Sequence, residues 1–190
     1  MFPLLINPPL KGENVMADLR QTVSDHLGGL ESLASKIPGY SGYKEKEMRR
    51  EADVLLRENL ARQFAEQLTK AEGVANQMLV GPGMMQLDDM GQGNTRLQTL
   101  IDKIKTAAQG YAGFFDAVKV KEDELDILYE FDNQMLDQVD EVSEAIDQVQ
   151  AGIDSGDDSA IAPSVRRYVK TVTDASAQFD KRRDAMVGVV

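Results

Sequence analysis

The residues able to do chemistry are few. The 190-residue chain has one histidine, His26, and no cysteine or tryptophan. Without cysteine there is no disulfide framework, thiolate metal site or sulfur nucleophile. A di-iron helical bundle needs Glu-x-x-His on two helices plus two further glutamates. Glu-x-x-His does not occur here. His26 would serve as a base only beside a serine and a carboxylate from other helices, and beside Leu27 it reads as a structural histidine. Asp154, Asp157 and Asp158 crowd one segment. Counting a calcium loop from Asp154 places Ser159 at the glycine position and Val165 at the terminal glutamate position, so the pattern fails. Asp157, Asp158 and Ser159 fit helix capping better. Gly81-Pro82-Gly83 and Gly91-Gln92-Gly93 follow no strand and read as loops, not phosphate cradles. No catalytic, cofactor-binding or metal-binding residue is therefore assigned, and no cofactor is expected.

Two groups qualify for binding. Met84, Met85 and Met90, with Met78, surround a glycine-rich hairpin. Methionine is adaptable and recurs where varied partners are bound, although the simpler reading is that these residues cover the open end of the bundle. The second group is electrostatic. From Asp116 to Asp158 there are 15 acids and two bases, a net −13 against −11 for the whole chain. Residues 159–190 carry +3. An acidic helix beside a basic one fixes the bundle register. Any surplus negative charge makes Asp137, Asp140 and Glu144 a candidate docking face for a basic protein. Lys44, Lys46, Arg49 and Arg50 form a basic run, but six bases and five acids over residues 44–62 leave it nearly neutral. Nucleic acid is not an expected partner.

The elements that must position these groups are helices. Leu19, Val23, Leu27, Leu30, Leu33 and Ile37 make one helical stripe, ended by Pro38-Gly39. A second helix is expected from Lys44 to Met78, with Met48, Ala52, Leu55, Leu56, Leu60, Phe64, Leu68, Ala71, Ala75 and Met78 inward. Glu45–Arg49, Asp53–Arg57, Glu58–Arg62 and Glu66–Lys70 read as i,i+4 pairs on its solvent face. Breaks are expected at Gly81–Gly83 and again at Gly91–Asn94, with Thr95 and Gln98 forming a capping box for a third helix. Leu97, Ile101, Ile104, Ala108, Tyr111, Phe115 and Val118 form its heptad seam. A fourth helix, about 122–151, presents Leu125, Leu128, Phe131, Met135, Val139, Val142, Ile146 and Val149, with Ile153 next in step. After a 152–159 loop, Pro163 suits the first turn of a last helix bearing Val165, Tyr168, Val172, Ala175, Phe179 and Met186. Arg182 falls on that same apolar spacing.

Strand alternation and hairpin dipeptides are missing. The expected fold is all-α: an elongated antiparallel bundle of four to five long helices with coiled-coil-like packing. Residues 1–15 read as a flexible extension and 16–190 as a single domain. Lys11-Gly12-Glu13 can be encoded by a purine run resembling a ribosome-binding site, which makes Met16 a candidate start. The apolar opening is short and proline-rich and has no basic leader, so cytoplasmic residence is expected.

The run from Ile37 through Pro38-Gly39-Tyr40-Ser41-Gly42-Tyr43 to Arg50, continuing to Asp53, resembles a segment of uncharacterised bacterial all-helical proteins. The resemblance covers about a tenth of the chain, implies a bacterial origin, and carries over no known activity, leaving function open. The leading expectation is a non-enzymatic scaffold or adaptor that binds other proteins, self-association included. The alternative is a peripheral membrane-associated protein using the N-terminus or the methionine hairpin. A second alternative is a small-ligand binder or enzyme with its site between helices, which a carboxylate pair facing the bundle interior would favour.

Overall fold

A computed structural model describes residues 28–43, 45, 48–107 and 122–188. Among them there is no strand. Helix α1 covers 28–36, α2 runs Arg49–Met78, α3 Leu87–Thr106, α4 Glu122–Ser155 and α5 Asp158–Gly188. At about 1.5 Å per residue α4 is about 51 Å long. The helices form an elongated antiparallel bundle. Helix α2 packs on α3 and α4, and α5 packs on both of these, closing a four-sided layer. The short α1 lies against α4: Asn133 donates from Nδ2 to the Gly29 carbonyl at 3.1 Å, and Lys36 reaches Asp137 at 3.3 Å.

The apolar periodicity explains the assembly. Leu56, Leu60 and Phe64 of α2, Leu97, Leu100 and Ile104 of α3, Met135, Val142 and Ile146 of α4, and Val165, Tyr168 and Val172 of α5 are fully buried. Each large side chain moved out of water contributes about 1.5–3 kcal/mol before chain entropy is subtracted. Pro38-Gly39 ends α1 as expected, with Gly39 at a φ of 81°. Gly81-Pro82-Gly83 ends α2 and starts a 3-10 turn at Met84–Gln86 that leads into α3.

Several local expectations are corrected. Helix α2 begins at Arg49, five residues beyond the expected start at Lys44. Helix α3 runs straight through Gly91–Asn94. There a Cβ on Gly93 would stand 2.5 Å from the Tyr168 ring, so the glycine lets α3 and α5 approach instead of breaking the chain. Tyr168 completes that contact by donating its hydroxyl to Asn94 Oδ1 at 2.9 Å. No capping box forms: Thr95 Oγ1 donates back to the Gly91 carbonyl, and Gln98 turns to Asp102. The 152–159 loop shrinks to a turn after Ser155, with Gly156 at a φ of 66°. Asp157 caps the next helix, accepting from the Ser159 amide at 3.0 Å and from its hydroxyl. Pro163 consequently sits inside α5, past its first turn. His26, Lys44, Lys46 and the α3 seam beyond Ala107 lie outside the described residues.

Candidate functional site

The two ends of the bundle differ. About 25 residues of α2 separate Asp53 from Met78, or about 37 Å of helix.

The end holding Asp53 contains a buried ion network. Arg182 is fully buried, as is Asp132, and Asp53 is 1% exposed. Arg182 donates from Nε to Asp132 Oδ1 at 2.5 Å, and from Nη2 to Asp53 Oδ1 and to the Tyr43 hydroxyl, both at 3.0 Å. Tyr43 donates in turn to Asp132 Oδ2 at 2.9 Å. Arg57 supplies the other Asp53 oxygen, Nε to Oδ2 at 2.7 Å, and lies 3.4 Å from the carbonyls that end α3. The Tyr43 amide donates to the Tyr129 hydroxyl, and its carbonyl accepts from Arg49 Nε, both at 2.9 Å. The network thus joins the 37–43 turn to α2, α3, α4 and α5.

Burial governs its electrostatics. Loss of solvent pushes the Asp132 carboxyl up, with Arg182 pulling against that shift. The Tyr43 hydroxyl rises well above its ordinary value through burial and the neighbouring Asp132. Tyr40, packed edge-on to Tyr43 at 5.9 Å, rises for the same reasons. Burial would lower Arg182, but Asp132, Tyr43 and Asp53 hold it well above its usual value.

Asp53 and Asp132 are a carboxylate pair facing the interior. All four of their oxygens accept from a guanidinium or a hydroxyl, however, so none is directed at an open space where a substrate could sit. Such an arrangement can lock helices in register. Taking one partner away strands a buried charge, at about 3–5 kcal/mol. Asp53–Arg57, expected on the solvent face, is therefore a core pair. The signal was available: Arg182 falls on the apolar spacing of α5, and Asp132 lies midway between Leu128 and Met135 on the α4 seam.

The opposite end is apolar and open. Of the six large apolar residues exposed among the described residues, four are at this tip: Leu79 at 51%, Val80 and Met85 at 93%, and Met84 at 65%. Gly83 holds the turn at a φ of 88°, and a Cβ there would come within 3.0 Å of Ile161. The turn consequently lies against the start of α5. Met90 belongs to the core, fully buried, and is not available to a partner. Met84 and Met85 are available.

The acidic face of α4 is also exposed. Asp137 bonds to Lys36, while Asp140 and Glu144 are exposed with no ion-pair partner among the described residues. The α4 acids are matched from α1 and α2 as well as from α5: Lys70 of α2 reaches Asp147 at 2.8 Å, where a Glu66 partner was expected. Glu66 pairs instead with Arg62. The attraction between α4 and α5 includes Arg182–Asp132 inside the core. Met84 and Met85 at the turn are not brought to Asp137, Asp140 and Glu144, which lie about 17 to 27 Å of helix before the end of α4 at Ser155.

A shallow groove of about 280 Å³ lies beside the first turns of α2, lined by Gly39, Met48, Val54, Leu55, Glu51 and Glu58 among others. Among the described residues no group of three metal-ligating side chains comes together, and no helix is long and apolar enough to cross a membrane. No protein-family model, curated protein or solved structure matches the chain.

Proposed function

We propose that this chain is a non-enzymatic helical adaptor of the cytoplasm that holds another protein at the turn end of its bundle. The observation that carries this reading is the concentration of exposed apolar side chains at Leu79, Val80, Met84 and Met85. Exposed apolar patches of this kind mark interaction sites, because leaving them in water is unfavourable. The acidic face at Asp137, Asp140 and Glu144 offers a second, weaker contact for a basic partner. Peripheral membrane attachment draws less support, since no lysine or arginine lies between Lys70 and Arg96 to meet anionic lipid. An enzymatic site between helices draws less support because the interior carboxylates are saturated.

A photoreactive residue placed at position 85, with one at exposed Thr69 on α2 for comparison, tests the reading in the native cell. Discrete protein adducts from position 85 and none from position 69 are expected. Equal adduct patterns from both positions, or no protein adduct from position 85, would contradict it.

A further inference from the structure

We infer that the partner element held at the tip is a basic amphipathic helix, an inference that rests on the adaptor reading above. The first ground is the apolar surface: Leu79, Val80, Met84 and Met85 project from the turn. Methionine's unbranched, polarisable side chain adapts to varied apolar faces. The second ground is the charge around it. Asp88 and Asp89 open α3, Asp158 opens α5, and Asp154 and Asp157 flank the adjoining turn; all five are exposed. The Gly83–Ile161 approach and the reciprocal Gln77–Gln150 amide pair, at 2.9 Å and 3.0 Å, bring the two turns to the same end. Asp157 is held ionised by the Ser159 hydroxyl and amide, which lower its carboxyl below the usual range. Asp88, Asp89 and Asp158 have no ion-pair partner among the described residues.

No lysine or arginine occurs between Lys70 and Arg96, nor between Lys121 and Arg166, so the sequence near both turns offers this rim no cation. Greasy centre and anionic border together match a helix with one apolar face bordered by lysine or arginine. The same border repels an anionic lipid surface and a second copy of this tip. The tip is built from helix ends and turns, without a sheet edge among the described residues, which favours a helix over an added strand.

The test is a fluorescence-anisotropy titration of the full chain with three labelled probes: an 18-residue leucine–lysine amphipathic peptide, its scrambled isomer, and a leucine–glutamate analogue. Saturable binding of the first probe alone is expected. Met84→Ser with Met85→Ser is expected to weaken it about tenfold, a loss of about 1.4 kcal/mol. Asp157→Asn with Asp158→Asn is expected to weaken it several-fold and to flatten its salt dependence. Circular dichroism of each double variant is expected to match that of the parent chain, because the substituted positions are exposed. Equal binding of the scrambled or glutamate probe, or binding of the lysine probe unchanged by both double variants, overturns the inference. Preferential binding of phosphatidylglycerol vesicles overturns it as well. A position-85 adduct with a partner segment that is not basic overturns this inference while leaving the adaptor reading standing. Absence of any protein adduct overturns the adaptor reading itself.

Discussion

The Asp53 end of the bundle hides its charges, and the Met85 end exposes its grease. Each inverts the usual distribution, in which apolar groups are covered and ionised groups face water. At the first end, every carboxylate oxygen of Asp53 and Asp132 meets a donor, so their polarity is spent internally. At the second, Val80 and Met85 are almost wholly exposed to solvent. Burying polar groups in a closed network specifies helix register, whereas leaving apolar groups open specifies where association occurs.

The contrast breaks first at Arg182. Arg182→Met leaves two buried carboxylates one cation short and is expected to destabilise the fold by about 3–5 kcal/mol. Adding Asp132→Leu is expected to recover part of that loss. Urea unfolding measures both; a change under 1 kcal/mol for Arg182→Met would mean the network carries no structural weight.

Alkaline titration is the next probe of the closed end. Tyr40, Tyr43, Tyr129 and Tyr168 all have hydroxyl values raised chiefly by burial. The folded chain therefore retains these protons where the unfolded chain, with an ordinary value near 10, releases them. Stability is full below pH ~10 and falls above it, by up to about 1.4 kcal/mol per pH unit for each fully retained proton. Absorbance at about 295 nm is expected to show these tyrosines ionising together with the loss of helix. Independent ionisation near pH ~10 while the helices persist would contradict their burial.

Between the ends, two glycines of α3 sharpen the picture. Gly93→Ala drives a methyl into Tyr168 and is expected to cost about 1–3 kcal/mol. Gly91→Ala meets nothing within 4 Å and is expected to stabilise the helix by about 0.5–1 kcal/mol. Thermal melts of the pair check both signs. The smallest effect belongs to the tip, where Met84→Ser with Met85→Ser is expected to leave stability within about 0.5 kcal/mol. A larger loss would place those side chains in the core.

The helices were legible because apolar spacing at three and four residues repeats along all of them. The Gly91–Asn94 break was misread because a glycine serving a close helix contact and a glycine ending a helix look alike until the partner, Tyr168, is known. The same limit hid Asp53–Arg57. An i,i+4 acid–base pair reads as solvated unless a third charge on a distant helix draws it inward, and Arg182 lies 129 residues from Asp53. The exposure of Met84 and Met85 was legible from their position at the turn. Met90 shared the type but lies one helical turn into α3, on its buried side.

Amide hydrogen exchange of the full chain, with and without the leucine–lysine peptide, tests the central claim most directly. The account predicts that the peptide slows exchange at 79–90 and 154–160 and leaves 43–57 unchanged. Slowing centred on 43–57, or no slowing at the tip under saturating peptide, would contradict it.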